Sequence, residues 1–361
     1  MCFPYESLSN ASPKRSHNDY LEKNKEEFHD VSIIASLPGI NVVTSFSLDY
    51  MHLICLGVVR KLIMMWIKGP VSVRYPSWKI KEVSSAMGKL KAQIPCEFAR
   101  KPRSFDEISR WKETEYRTFL LYTGPIVMKS ILKKDHWKHF LALSISMTIL
   151  LSPDHSKFLF IARNLLDYFL KRYEQIYGSY LMSHNVNGLN HISDDYDMYG
   201  PLDNVSAFPF ENYMRQLKKM LRKPHKPLEQ IVKRYNETFL LPLTENKLKQ
   251  KQIYSGLHQN DQIIQNNINE LQFKTLNLKN VTLKTHVEAD SYFLTTNNEV
   301  VKRMNIIRST ETHVIRLVGK IFLQKYDLYQ KPFESSKLNV NVVNLLSNEL
   351  FDFSVKSIKK K

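Results

Sequence analysis

The chain has 361 residues, 43% of them hydrophobic and 11% aromatic, which excludes a disordered chain and provides for one large folded domain or two smaller ones. Fifty-two Lys and Arg against 35 Asp and Glu give a formal net charge of +17, which favours an anionic partner such as nucleic acid, although solubility alone would also explain it. Three widely spaced cysteines and ten glycines argue against a disulfide framework, an all-cysteine zinc site, a glycine-rich phosphate loop and a serine-hydrolase elbow.

The sequence gives no reason to expect a membrane partner. The N-terminus "MCFPYESLSN" lacks the basic segment and apolar core of a signal peptide. The longest apolar run, "HFLALSISMTILL", is too short to cross a bilayer. We therefore expect a soluble, intracellular protein.

Helices are predicted through the first two thirds of the chain. Residues 1–37 are polar, mixed in charge and without a sustained period, and are predicted to be a connector. From Ser47 to Lys68 apolar residues recur at helical spacing, and Gly69-Pro70 ends this helix. A later helix is predicted to break near Gly124-Pro125. Two buried helices then follow, in "DHWKHFLALSISMTILLSP" and "DHSKFLFIARNLLDYFLKRYEQIYG".

Three more helices are predicted before the composition changes. The stretch "SHNVNGLNHISDDYDMYGP" is predicted to be helical and to close at Gly200-Pro201. "FPFENYMRQLKKMLRKPHKP" opens the next helix, which ends at Pro224 and Pro227, and a short helix runs from Leu228 to Phe239. The middle helix has an apolar face formed by Phe210, Tyr213, Met214, Leu217 and Leu221.

The C-terminal third differs in composition. Residues 241–271 are rich in Asn and Gln and are predicted to be a linker. Residues 272–361 show alternation and β-branched residues, with a hairpin predicted to turn at Asn297-Asn298. The predicted fold class is therefore mainly α with a small β-rich C-terminal module (α+β), the helical domain spanning 38–240.

Two pairs of polar residues are candidates for a site. Asp49 and His52 are three residues apart and share a helix face. A cap at Ser47, with Asp49 in the first helical turn, would explain the aspartate without a function. His184 and His191 are seven residues apart and would also share a face, as half of a tetrahedral zinc site. They can equally be exposed polar residues, and no C-x-x-C completes the site.

Glu211 and the cations that follow it are the third candidate. Between residues 211 and 237 there are eight Lys or Arg against three Glu. A carboxylate beside a basic helix suits metal-dependent chemistry on nucleic acid, because the acid holds Mg²⁺ and the cations hold phosphates. A helix-start acid and a solvated basic face are the alternative interpretation. The candidate nucleic-acid-binding residues are Arg215, Lys218, Lys219, Arg222, Lys223 and Lys226.

Three long stretches resemble the C-terminal half of CACTA-type (En/Spm-like) DNA transposases, in particular the animal transposase-like proteins related to that group. They are "LPGINVVTSFSLDYMHLICLGVVRKLI", "CEFARKPRSFDEISRWKETEYRTFLLYTGPIVMK" and "VNGLNHISDDYDMYGPLDNVSAFPFENYMRQLKKMLRKPHKPLEQIVKRY". Their order is that of the family. The resemblance covers most of residues 28–240 and is weaker in the β-rich tail.

The resemblance implies a helical insertion and the last part of a ribonuclease-H-like core, in which three acids bind two metal ions and cut DNA. It places the third acid at Glu211, in the "PFE" element, and assigns Asp49 and His52 to a supporting D-x-x-H motif. It also makes His184 and His191 resemble the histidine half of a zinc site. In the wider transposase group, which includes the V(D)J recombinase, an upstream C-x-x-C supplies the other half.

The departures from the family determine the functional prediction. In relatives the first two catalytic aspartates, the early strands and the C-x-x-C precede the segment that resembles "MCFP", and no residue here can be assigned to them. Two-metal cleavage needs several acids. We therefore expect a truncated, catalytically inactive transposase derivative that retains DNA binding and acts in the nucleus. Mg²⁺ and Zn²⁺ are expected only in a full-length relative.

Two alternatives stay open. One is a domesticated protein-interaction or nucleic-acid-binding module with no transposition role, in which the β-rich tail contacts an unidentified partner. The other is a complete metal-dependent nuclease that uses Asp49, Glu211 and a further acid such as Asp194.

Overall fold

The protein is mainly α-helical and carries a small antiparallel β-rich module at its C-terminal end, as the sequence predicts. The computed structural model describes residues 3, 5, 14, 16–22, 32–240, 253–258, 269–278 and 281–360. The α-helices of this part of the chain are α1 (His17–Leu21), α2 (Arg60–Lys68), α3 (Ser77–Leu90), α4 (Glu113–Thr118), α5 (Gly124–Val127), α6 (Lys134–Leu150), α7 (Leu159–Tyr177), α8 (His184–Asn187), α9 (Ile192–Tyr199), α10 (Phe208–Lys219) and α11 (Pro227–Leu240).

Besides the α-helices and short 3₁₀-helices, the described residues form π-helical segments and strands. The π-helical segments Met51–Val59 and Phe119–Thr123 lead into α2 and α5. The strands are β1 (Tyr254–His258), β2 (Glu270–Asn277), β3 (Thr282–Lys284), β4 (Tyr292–Thr295), β5 (Val300–Ser309), β6 (Ile315–Asp327), β7 (Asn341–Leu346), β8 (Phe351–Ser354) and β9 (Ile358–Lys360). Among the described residues no helix is long and apolar enough to span a membrane.

The chain divides into two compact units. The first lies within Met1–Ser85 and Ser104–Met214, and the second within Ala86–Arg103 and Arg215–Lys361. Each unit is therefore built from two separate parts of the sequence.

This division differs from the predicted domain boundaries. The helical domain predicted at 38–240 loses residues 86–103 and 215–240 to the unit that contains the sheet. The strand β1 and the first residues of β2 lie within the predicted linker at 241–271, of which residues 253–258 and 269–271 are described. Of the predicted connector at 1–37, the described residues include α1 and a short 3₁₀-helix, Ile33–Ser36.

The helices α6 and α7 pack against each other and supply a large part of the core of the first unit. In α7 the buried residues Leu166, Phe169, Leu170 and Tyr173 recur at steps of three and four, so they form one face of the helix. The helix α6 is buried around most of its circumference from His139 to Leu150. Each large side chain buried in this way stabilises the fold by about 1.5–3 kcal/mol. Both helices were predicted, and their burial confirms the predicted apolar patterns.

The helix predicted to break near Gly124-Pro125 continues through these residues, so that prediction is wrong. The π-helical turn at 119–123 runs directly into α5. Pro125 has no N–H to donate to the Leu120 carbonyl five residues earlier. The Ser144 hydroxyl of α6 donates to that carbonyl instead, at 2.8 Å. A proline is therefore tolerated here because a neighbouring helix supplies the missing donor.

The sheet of the second unit is organised around β5. Along one edge β5 pairs with β6, and along the other it pairs with β4 and then β2, all antiparallel. The part of β6 that extends past the end of β5 pairs with β7. The predicted hairpin is confirmed, since β4 and β5 are joined by a turn in which Asn298 adopts a left-handed conformation, φ 61°. The buried residues of its core are Phe273, Leu276, Leu283, Phe293, Val301, Ile306 and Leu317.

The apolar face predicted for the helix at 208–221 is not buried among the described residues. No residue of α10 is buried, and Phe210 is 72% exposed. Helical spacing of apolar residues predicts that a helix is amphipathic, but it does not supply a partner for the face. The helix itself is confirmed, as is the following helix, α11.

Candidate functional site

Asp49 starts the π-helical segment that carries His52. Its carboxylate Oδ1 accepts a hydrogen bond from the Met51 N–H at 3.2 Å, and Oδ2 accepts one from the His52 N–H at 3.1 Å. These are N–H groups at a helix start, which have no partner within the helix. Asp49 therefore caps this helix itself, in place of the cap predicted at Ser47.

The same carboxylate also holds the beginning of α10. Oδ1 of Asp49 accepts the Ala207 N–H at 2.9 Å, and Ala207 immediately precedes α10. In turn the Glu211 N–H donates to the Ala207 carbonyl at 3.0 Å. One aspartate thus joins two segments that are 158 residues apart in the sequence, and it brings Glu211 towards His52.

His52 lies between two carboxylates. Its Nδ1 is 2.5 Å from Asp49 Oδ2, and its Nε2 is 3.5 Å from Glu211 Oε1. The side chains of His52 and Glu211 are 58% and 50% exposed, while that of Asp49 is 22% exposed. The three residues singled out in the sequence are therefore neighbours, with the imidazole oriented by Asp49 and directed towards Glu211. We call Asp49, His52 and Glu211 the Asp–His–Glu cluster.

The cluster does not fit a two-metal centre. A carboxylate behind a histidine is the usual second shell of a metal site, and His52 Nε2 and Glu211 Oε1 could both reach one cation. However, both oxygens of Asp49 accept backbone N–H groups, which leaves Glu211 as the one carboxylate of the cluster without such bonds. Two-metal chemistry needs several carboxylates to hold both ions, and in the described residues the cluster does not provide them.

Asp194, the further acid considered for a nuclease, is not part of the cluster. Its Oδ2 pairs with Lys14 Nζ at 2.6 Å. The adjacent Asp195 is buried and accepts the Leu48 N–H at 2.7 Å, so it fixes the backbone just before Asp49. Burial raises the pKa of Asp195, opposed by the hydrogen bond from Leu48. Both acids have structural partners.

His184 and His191 do not lie on one helix, which corrects the prediction that they share a face. The helix α8 ends at Asn187, a 3₁₀ turn follows at Gly188–Asn190, and α9 begins at Ile192. The chain bends here against the π-helical segment. A Cβ on Gly188 would lie 2.7 Å from Leu53 Cδ1, so a larger residue there would require the Leu53 side chain to shift.

The surroundings of the two histidines also do not form a zinc site. Both are exposed. The ring of His184 lies edge-on to the ring of Phe3, with the two ring centroids 6.0 Å apart. Within the described residues they join no group of three or more metal-ligating side chains. Cys55 is fully buried, and burial raises the pKa of its thiol, which keeps it protonated. In the part of the chain that the structure describes, the residues around the two histidines therefore do not match the donor set that zinc requires.

The basic residues predicted to bind nucleic acid are all exposed. They lie on α10 from Arg215 onwards and in the loop that follows, which ends at Lys226 just before α11. Lys226 pairs with Glu229 at 3.0 Å. The other five, Arg215, Lys218, Lys219, Arg222 and Lys223, have no carboxylate partner in the part of the chain that the structure describes. We call these six residues the basic segment.

A group of polar side chains in the second unit was not predicted from the sequence. Ligand atoms of Cys96, Glu97 and Asp290 lie within 4.8 Å of one another. A cation is already there, because Lys284 Nζ is 3.1 Å from Asp290 Oδ2, and this hydrogen bond raises the pKa of Lys284. Residues 96 and 290 are too far apart in the sequence for a spacing motif to reveal the group.

Comparisons with known proteins assign no activity to these residues. Residues 257–361 match a family model described as a domain of unknown function (DUF8592). The match includes β2 to β9 and leaves out the Asp–His–Glu cluster and the basic segment. No curated protein and no solved structure matches the chain.

Proposed function

We propose that the protein is a transposase-derived DNA-binding protein that acts in the nucleus and does not itself cleave DNA. The proposal includes the ribonuclease-H-like origin that the sequence resemblance implies for the helical region. The observation that carries it is the basic segment, in which five exposed cations have no carboxylate partner among the described residues.

Electrostatics explains why such a segment favours DNA. Unpaired lysines and arginines on one segment attract a polyanion, and each phosphate they neutralise releases a condensed counterion. The net charge of +17 acts in the same direction over longer distances. Lysine and arginine contacts of this kind position a protein on the phosphate backbone without reading bases.

DNA binding is tested with a variant of the basic segment. For Arg222→Ala with Lys223→Ala, we expect weaker binding to duplex DNA, by a similar factor on different sequences. The slope of log affinity against log salt should fall by about two, one for each lost phosphate contact. Fluorescence anisotropy with a short labelled duplex over a range of salt concentrations measures both quantities.

A matched control removes the same charge elsewhere in the second unit. Lys89 and Lys91 are exposed and have no ion pair among the described residues, so Lys89→Ala with Lys91→Ala should leave the slope close to that of the wild type. A wild-type chain whose affinity does not depend on salt would contradict DNA binding.

The absence of cleavage is tested separately. We expect that the purified chain does not nick supercoiled plasmid DNA in Mg²⁺ or Mn²⁺, because the Asp–His–Glu cluster has a single carboxylate, Glu211, free of backbone bonds. Nicking that is lost in Glu211→Ala would show that the cluster is catalytic and overturn this part of the proposal.

One observation favours a second function, protein interaction through the β-rich module. The end of β6 pairs only with β7 among the described strands, and the resulting two-stranded ribbon exposes apolar side chains. Tyr326 lies opposite Val342 in the ribbon, and exposed apolar side chains that adjoin each other in this way are typical of interaction surfaces. The DNA titration separates the two functions, since no salt-dependent affinity in the wild type would favour this one. The exposed apolar residues are Leu323, Tyr326, Val342 and Leu345.

A further inference from the structure

The loop between α10 and α11 is held by one side chain. Gln230, on the second turn of α11, reaches back to the backbone of the loop. Its Oε1 accepts the Arg222 N–H at 3.0 Å and the Lys223 N–H at 3.3 Å. Its Nε2 donates to the Lys223 carbonyl at 2.9 Å and to the His225 carbonyl at 2.6 Å. We call this arrangement the Gln230 clamp.

The clamp uses the hydrogen-bonding capacity of the amide for the loop alone. A glutamine side chain offers two donors and one acceptor oxygen with two lone pairs, and four bonds to the loop engage them. Prolines 224 and 227 restrict the loop further, since each fixes its own φ angle. The loop therefore presents Arg222 and Lys223 from a backbone that is already ordered.

We infer that Gln230 is a positioning residue, which holds Arg222 and Lys223 in place for the phosphate backbone of duplex DNA. This inference rests on the proposed DNA binding. Ordering a flexible loop on binding reduces affinity, and a loop that is ordered beforehand avoids that loss. Because the amide of Gln230 is engaged, it is not available for the bidentate contact by which glutamine recognises adenine. The loop thus contacts DNA through charge and without sequence preference.

The test compares affinity with salt slope in the full-length chain. Gln230→Met keeps the length of the side chain and removes all four hydrogen bonds without changing the charge. We expect affinity for duplex DNA to fall about threefold to tenfold at every salt concentration. The salt slope should stay that of the wild type, because the same number of phosphates is neutralised. This distinguishes the variant from Arg222→Ala with Lys223→Ala, which lowers the slope.

Two controls isolate the clamp. Gln216→Met changes an exposed glutamine of α10 and should leave affinity and slope unchanged. Hydrogen exchange should show protected Arg222 and Lys223 amides in the wild type and rapid exchange of both in Gln230→Met. Should Gln230→Met fail to fold, Gln230→Glu keeps the two bonds accepted by Oε1 and loses the two donated by Nε2. Both amides should then stay protected, and their rapid exchange in Gln230→Glu would overturn the clamp.

The outcomes separate this inference from the proposed function. A wild-type chain without salt-dependent DNA affinity overturns both. A wild type that binds DNA, together with a Gln230→Met chain of equal affinity, overturns the positioning role and leaves DNA binding intact. A lowered salt slope in Gln230→Met would also overturn it, because the variant would then have lost phosphate contacts.

Discussion

At the scale of single residues, His139 is a titratable group whose pKa the fold changes strongly. It lies in α6, is fully buried, and stacks on Phe169 with ring centroids 4.1 Å apart. Its Nε2–H donates to the Phe169 carbonyl at 3.1 Å. Burial lowers the pKa of His139 to about 3. The imidazole is therefore neutral in the folded chain at any pH at which the protein would be studied.

This burial predicts a dependence of stability on pH. In the unfolded chain the histidine titrates near a pKa of about 6.5, so as pH falls below that value the unfolded state takes up a proton that the folded state does not. The contribution to stability is complete above that pH and declines down to the folded pKa. Between pH 7 and pH 5 we expect the wild type to lose about 2 kcal/mol that His139→Phe does not lose.

Urea unfolding at the two pH values measures this difference. His139→Phe can be less stable than the wild type at both pH values, because the hydrogen bond to the Phe169 carbonyl is lost. The quantity compared is therefore the change in the free energy of unfolding of each protein between pH 7 and pH 5. His225→Phe replaces an exposed histidine and should retain the pH dependence of the wild type. If His139→Phe lost as much stability as the wild type on going to pH 5, the histidine would not be the group responsible.

At the scale of secondary-structure elements, Asp49 is a cap shared by two helices. It accepts N–H groups at the start of the π-helical segment and the Ala207 N–H before α10. A lost cap costs about 1 kcal/mol, and each unpaired N–H adds a similar amount. We therefore expect Asp49→Ala to lower the free energy of unfolding by about 2–3 kcal/mol, measured in urea.

The other carboxylate of the cluster provides the control. Glu211 is half exposed and accepts no backbone hydrogen bond among the described contacts. Glu211→Ala should therefore change the free energy of unfolding by less than about 0.5 kcal/mol. Equal losses in the two variants would mean that Asp49 stabilises the fold no more than its exposed neighbour does.

Local sequence signals predicted elements well where the element depends on its own residues. The i, i+3 spacing of Asp49 and His52 predicted their contact, and Gly69-Pro70 correctly ended α2. These signals failed where the local conformation depends on a contact with a residue of another element. Pro125 stays within a helix, where Ser144 supplies a donor, and the chain bends at Gly188, where Leu53 packs closely against it. Neither partner is visible from the local pattern.

At the scale of the whole molecule, the compact units are not continuous in the sequence, since each combines two separate stretches of the chain. The sheet unit contains residues 86–103, which the sequence prediction assigned to the helical domain. Hydrogen bonds between backbone N–H groups and carboxylates join them to the sheet region: the Cys96 N–H donates to Asp290 Oδ1, and the Thr282 N–H donates to Glu97 Oε1. Composition revealed the change near residue 240, but no compositional feature marks a contact between segments so far apart. The contact of His52 with Glu211 also joins distant parts of the sequence, and the family resemblance, not spacing, assigned both to one site.

Asp290 is the residue on which this discontinuous unit depends most directly. Its side chain is 1% exposed, its Oδ1 accepts the Cys96 N–H at 2.9 Å, and its Oδ2 pairs with Lys284 Nζ at 3.1 Å. Its negative charge also stabilises the buried guanidinium of Arg303. Removal of one partner from a buried ionic group leaves the others without compensation.

We therefore expect Asp290→Ala to lower the free energy of unfolding of the full chain by about 3 kcal/mol. Asp290→Asn keeps an acceptor for the Cys96 N–H and should lose less. Asp352 pairs with Arg316 at 2.6 Å but is 58% exposed, and Asp352→Ala should cost less than about 1 kcal/mol because water screens the pair. Urea unfolding gives the free energies, and hydrogen exchange at the Cys96 amide shows whether the segment detaches. Wild-type protection of that amide in Asp290→Ala would mean that residues 86–103 are held to the sheet by other contacts.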